Sequence, residues 1–118
     1  MPEGYLTTHV LDTARGCPAE GIRIELFRLE GGAREQIAEA LTNADGRTDG
    51  PILAQGAFRP GTYELLFHAG AYLRSTGLAE HTPLFLDEIP IRFGMAEDDH
   101  YHVPLLLSPF GMSTYRGS

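Results

Sequence analysis

Apolar and polar residues alternate with period two along most of the chain. Ile22, Ile24 and Leu26 alternate with Arg23, Glu25 and Phe27, the spacing of a half-buried strand. Tyr63, Leu65 and Phe67 alternate with Glu64, Leu66 and His68, and Ile89, Ile91 and Phe93 alternate with Glu88, Pro90 and Arg92. Pro90 has no N–H to give to a ladder, so that third strand is expected at a sheet edge or bulged. Residues 7–11 and 36–41 read as further strands, and 101–107, nearly all apolar beyond His102, as a strand buried on both faces. Only 69–79 reads as helical, with Gly77 to close it. Gly31-Gly32, Asn43-Ala44-Asp45-Gly46, Asp49-Gly50-Pro51 and Arg59-Pro60-Gly61 supply the turns. Many short strands at regular spacing with one short helix predict an all-β, antiparallel two-sheet sandwich. No internal repeat or low-complexity segment interrupts it.

Composition narrows the picture. A chain of 118 residues is expected to form one domain spanning 1–118, large enough to hold together without disulfides. Cys17 is the sole cysteine, which excludes an internal bridge and suits a reducing compartment. Met1-Pro2-Glu3-Gly4-Tyr5 lacks the basic and apolar regions of an export signal, and no apolar run is long enough to span a bilayer, so a cytoplasmic location is expected. A net charge of −7 argues against nucleic acid and anionic membranes as partners. It says little about a small buried site, where local charge decides.

Four places carry candidate chemistry. The chain runs from the apolar block Val103-Pro104-Leu105-Leu106-Leu107 to Ser113-Thr114-Tyr115-Arg116-Gly117-Ser118 with no polar linker between, so the terminus itself is a candidate functional element. Tyr115 offers a ring and a hydroxyl, Arg116 a fork of donors, and Ser118 a hydroxyl. His9 lies on a strand face with Thr7 and Leu11; taken alone it reads as a core-edge histidine bonded to backbone. Arg47, just past a tight turn, reads alone as a solvated charge, or as an anion clamp fixed at a strand end. His100 and His102 point to one side of their strand, either as two metal ligands or with His102 as an acid/base group near neutrality. A structural zinc site wants three or four ligands, and the cysteine sits apart in a Gly-Cys-Pro turn. Asp12 and Asp45 read as turn residues, and His68 and His81 as structural or surface groups. No nucleophile elbow, phosphate loop or dinucleotide fingerprint is present.

Three segments resemble one family. Thr7-Thr8-His9-Val10-Leu11-Asp12 with Gly16-Cys17-Pro18-Ala19, the turn Asn43-Ala44-Asp45-Gly46-Arg47, and the block His100 to Ser118 are similar to the transthyretin-like proteins. The terminal Tyr115-Arg116-Gly117-Ser118 resembles the branch that hydrolyses 5-hydroxyisourate. The resemblance covers essentially the whole chain, although Met112 and Phe110 stand where aromatic residue and tyrosine are usual. It implies a transthyretin-like (prealbumin-like) sandwich assembled as a homotetramer, a dimer of dimers, with sites in a channel between dimers. The implied reaction opens the six-membered ring of 5-hydroxyisourate at an amide, giving the ureidoimidazoline of urate breakdown, with no cofactor and no metal. His9, Arg47 and His102 match the family's catalytic positions, where the hormone carriers hold lysine, glutamate and threonine. Ser118 matches a further catalytic place, and Tyr115 and Ser118, with His9 and Arg47, match the substrate contacts.

The chemistry so implied is water addition to an amide carbonyl, which needs a base, an opposing cation for the oxyanion and a grip on a polar ring. His9 or His102, neutral, is expected to take the proton from water. Arg47 is expected to depress both histidines by like-charge repulsion and to hold the anion. Gly117 is expected to let the backbone come close to the ligand or turn, and Arg116 either touches substrate or pairs with a carboxylate across the subunit interface. Three other readings remain open on residues alone: a transthyretin-type ligand carrier, an interaction module without a small-molecule site, and a metal-dependent hydrolase using His9, His100 and His102.

Overall fold

A computed structural model describes residues 3–117. Its first strand, β1 (Tyr5–Asp12), obeys period two strictly: Leu6, Thr8, Val10 and Asp12 are buried, while Tyr5, Thr7, His9 and Leu11 are half-buried on the other side. The remaining elements are β2 (Cys17–Pro18), β3 (Arg23–Glu30), β4 (Ala33–Leu41), β5 (Gly61–His68), α1 (Ala69–Ser75), β6 (Glu88–Met95), β7 (His100–Ser108) and β8 (Gly111–Thr114). They form two four-stranded sheets, ordered β2-β1-β7-β8 and β4-β3-β5-β6. Five of the six strand pairings are antiparallel; β1 and β7 run parallel.

The core lies between the sheets. Leu6, Val10, Leu105 and Leu107 from the first meet Ile24, Leu26, Leu65 and Phe67 from the second, all at 0% exposure. Burying side chains of this size is worth about 1.5–3 kcal/mol each, the main force holding the layers together. The α1 helix rests at one end, tied to the first sheet by the Tyr72 hydroxyl, which donates to buried Asp12 at 2.6 Å.

Most predicted elements are present. Pro90 sits on β6, an edge strand, as its missing donor requires. The β7 strand is covered on both faces from 101 to 105: Tyr101, Val103 and Leu105 join the core, and His102 on the other face is covered by Thr7, His9 and the Gly117 backbone. The helix stops at Ser75, with Gly77 at φ +74 just beyond, so it is shorter than predicted. The β3 strand is not half-buried: Glu25 and Phe27 are covered as well as Ile24 and Leu26. It is an interior strand, and the Arg34 guanidinium lies 3.5 Å over the Phe27 ring. Among the described residues no helix is long and apolar enough to cross a membrane.

Candidate active site

The parallel pairing of β1 with β7 sets Thr7 beside His102 and His9 beside Pro104. Side chains at 5, 7 and 9 therefore share the outer face of the sheet with those at 100, 102 and 104. There they join into one hydrogen-bonded row. His9 Nδ1 lies 2.7 Å from His102 Nε2, with the rings stacked at 4.8 Å and 25°. Thr7 Oγ1 lies 2.7 Å from His102 Nδ1 and 2.7 Å from His100 Nε2. The Tyr5 ring stacks on His100 at 4.1 Å. Both ring nitrogens of His102 are thus occupied. Nε2 of His9 has no partner among the described residues and faces outward from the row.

Arg47 is brought to His9 by its turn. Asn43 Oδ1 accepts the backbone N–H groups of Asp45 at 2.9 Å and Arg47 at 3.2 Å, so Asn43, rather than Asp45, is the residue whose side chain builds the turn. Gly46 then packs the turn onto β1: its carbonyl accepts Val10 N–H at 2.8 Å. Its φ of +72 favours glycine, and a Cβ there would sit 2.5 Å from the Val10 carbonyl oxygen. The next residue bridges to His9 in antiparallel fashion. Seven of the nine arginines pair with a carboxylate; Arg47 and Arg74 pair with none among the described residues. Arg47 is exposed, and in a chain of net charge −7 its cation is left for a ligand.

The chain end lies along β7. Leu105 faces Thr114 and His102 faces Gly117, which is one unbroken register. Between these pairs Pro104 has no N–H to give to Tyr115, so the ladder opens there and Thr114 Oγ1 donates to the Pro104 carbonyl instead, at 2.8 Å. It closes again where Gly117 N–H donates to the His102 carbonyl at 2.6 Å. A Cβ at Gly117 would meet His102 Cδ2 at 2.8 Å, so the close approach that glycine permits is to the histidine ring. Tyr115 is 56% exposed, lies across Pro104 from His9, and makes no hydrogen bond with the histidine row. Arg116 is spent locally: it covers the Tyr101 ring at 4.0 Å, donates to the His100 carbonyl at 3.4 Å and pairs with Asp99 at 3.6 Å. Ser118 lies outside the described residues.

Both histidines of the pair are pushed toward the neutral form. His102 is lowered to about 4, first by burial and then by the charges of His9, Arg47 and His100. His9 is lowered by burial first and Arg47 second. Like-charge repulsion from Arg47 acts in the expected direction, but loss of solvent is the larger cause. Among the described residues no three His, Cys, Asp or Glu side chains are placed to hold a metal ion. Thr7 is the member of the row that residue type alone did not reveal. Its one signal was the strand face it shares with His9.

Comparison with known proteins places the chain among relatives of one kind. Residues 6–117 match the family described as HIUase/Transthyretin family. The chain is 61% identical over 116 residues to "5-hydroxyisourate hydrolase 2" of Rhizobium meliloti, covering 98% of this chain and 97% of that one. Among solved structures it resembles (S)-allantoin synthase with TM-score 0.90 and 50% identity, covering 98% of this chain but spanning only 44% of that longer one. It also resembles sea bream transthyretin in complex with thyroxine, with TM-score 0.86, 27% identity, and coverage of 99% of this chain and 95% of that one.

Proposed function

This chain belongs to the HIUase/Transthyretin family, and we propose that it is an enzyme hydrolysing 5-hydroxyisourate to 2-oxo-4-hydroxy-4-carboxy-5-ureidoimidazoline, a step of urate degradation. The observation that carries this reading is the His9–His102 pair beside Arg47, which pairs with no carboxylate among the described residues. A base, a residue to orient it and a cation for the developing oxyanion stand together.

The hydrogen bonds divide the roles. His102 has no free nitrogen, so the base that meets water is His9, through Nε2. A neutral imidazole carries one proton, so a bare Nε2 puts the His9 proton on Nδ1. Nδ1–H then donates to His102 Nε2, which fixes the orientation of the His9 ring. Water loses a proton to His9 as its oxygen bonds to the ring amide carbon. Arg47 opposes the charge that develops on the carbonyl oxygen. The C–N bond then breaks as the amide nitrogen regains a proton, leaving a carboxylate. Tyr115 and Ser118 contact the heteroatoms of the substrate ring. Arg116 holds the tail in place and takes no part in the chemistry.

A carrier of the transthyretin type would bind in the same place without turnover. Two stacked histidines held neutral are needed for proton transfer and not for carriage, which favours the enzyme. We further propose a single domain, a homotetrameric dimer of dimers in the cytoplasm, and catalysis with no cofactor or metal. The outward-facing histidine row and the exposed Phe85, Phe110 and Leu41 suit such subunit contact. His9→Ala, Arg47→Ala and His102→Ala are each expected to cost on the order of a hundredfold in kcat/KM on freshly made 5-hydroxyisourate. Turnover within a fewfold of the unsubstituted protein in all three would remove the assignment.

A further inference from the structure

We propose that Thr7 and His100 extend the catalytic pair into a proton relay that runs from the water to a carboxylate-lined cleft at the other end of the row. This deepens the hydrolase reading and rests on it. The Thr7 hydroxyl is the connection: its oxygen is 2.7 Å from His102 Nδ1 and 2.7 Å from His100 Nε2, and it has one proton to give and lone pairs to accept with.

Once His9 Nε2 is bare, every other proton in the row has one place. His9 donates from Nδ1 to His102 Nε2. His102 therefore carries its proton on Nδ1 and donates to Thr7 Oγ1. The Thr7 hydroxyl in turn donates to His100 Nε2, so neutral His100 keeps its proton on Nδ1. With all four groups in their neutral forms, each inner contact has one donor and one acceptor, and the row points away from the substrate.

When His9 takes the proton from water at Nε2, the charge can move without any atom travelling far. The Nδ1 proton of His9 passes to His102 Nε2. The Nδ1 proton of His102 passes to Thr7 Oγ1, whose own proton passes to His100 Nε2. One proton has entered and none has left; the row ends with His100 as the imidazolium and His9 and His102 neutral. The cation has moved away from Arg47, which faces His9. The groups around its destination are the Tyr5 ring stacked on it, His102 and Thr7 on one side, and Asp99, whose carboxylate accepts the His100 backbone N–H at 2.8 Å. Glu3 and Asp98 line the same cleft as His100, and Arg116 lies against the His100 carbonyl while pairing with Asp99. With three carboxylates lining that cleft, a positive charge is more favourable at His100 than beside Arg47. Breakdown of the intermediate reverses the relay and returns the proton toward the leaving nitrogen.

Thr7 is a positioning residue, and its test needs readouts that packing alone would not move. Thr7→Val keeps the branched shape and removes the hydroxyl. It is expected to lower kcat about tenfold or more with KM within about twofold, and to make the rate rise with added imidazole buffer. Thr7→Ser is expected to retain the unsubstituted rate and its indifference to buffer. His100→Gln is expected to show the same buffer dependence as Thr7→Val, and the double variant to be no slower than the slower single one. Nitrogen NMR of the imidazoles at neutral pH is expected to find the His102 proton on Nδ1 in the unsubstituted protein. A His102 proton on Nε2, or rate losses in Thr7→Val that ignore buffer, would overturn the relay. So would normal kcat in both Thr7→Val and His100→Gln while His9→Ala is inactive, and in that case the hydrolase reading stands. Failure of the unsubstituted protein to speed decay of 5-hydroxyisourate would instead remove the hydrolase reading itself.

Discussion

Lowering the pH of the reaction probes the His9–His102 pair most informatively. An ordinary imidazole of pKa 6.5 is about three-quarters protonated at pH 6, whereas one held at about 4 is about 1% protonated there. The drop from 6.5 to about 4 is a factor of about 300 in proton affinity, or about 3 kcal/mol. It originates in the lining of the site: His102 is 8% exposed, with its ring between His9, Thr7 and the Gly117 backbone, and Arg47 adds like charge. Catalysis needs both histidines neutral, and both are lowered, so kcat/KM is expected to stay level from pH 8 down through 6.5 and to fall only below it. The assay is initial disappearance of 5-hydroxyisourate by rapid-mixing absorbance, with the spontaneous rate at each pH subtracted. Arg47→Gln removes one depressing charge and leaves burial, so its residual activity is expected to fall at a higher pH, though still below 6.5. A limb that moves with this substitution belongs to the enzyme and not to substrate ionisation. An unsubstituted profile that halves near 6.5 or above, or a limb unmoved in Arg47→Gln, would refute the electrostatic reasoning.

The same perturbation acts on folding. A histidine held below its unfolded pKa stabilises the fold in its neutral form; that stability is complete above about 6.5 and is lost as pH falls through about 4. Thermal midpoints are therefore expected to decline between pH 6.5 and 4, and His102→Asn to show a shallower decline, because asparagine does not titrate. Gly117→Ala, whose Cβ would meet His102 Cδ2 at 2.8 Å, is expected to cut kcat about tenfold or more while moving the melting midpoint by only a few degrees. Steady-state kinetics beside a melting curve separate the two. Tyr72→Phe leaves one oxygen of buried Asp12 without its 2.6 Å donor and is expected to cost about 1–3 kcal/mol in urea unfolding, with turnover unchanged.

The sandwich was readable because period two is a local property. Leu6, Val10, Ile24, Leu65 and Phe67 all declare their inward face within a few residues of themselves. Even the edge position of β6 followed from one missing donor, at Pro90. What stayed hidden depends on register between segments about ninety residues apart. Nothing near Thr7 announces His100 or His102; a threonine on a strand is simply a good strand former until the parallel pairing sets it between two imidazoles. That pairing also supports His9 as the histidine that meets the water, a question residue types left open. Resemblance named His9, Arg47 and His102, and the fold gathers all three, but Arg116 turned out to be occupied by Tyr101 and Asp99. The two-residue β2 and four-residue β8 are too short to show a period, and they take their place only by pairing with β1 and β7.

Hydrolysis in ¹⁸O-labelled water tests the central claim most directly. With fresh 5-hydroxyisourate, the unsubstituted protein is expected to open the ring far faster than buffer alone and to place one labelled oxygen in the new carboxylate, while His9→Ala, folded and of the same oligomeric size, matches buffer. Decay at the buffer rate with the unsubstituted protein, or full activity in His9→Ala, would contradict the account.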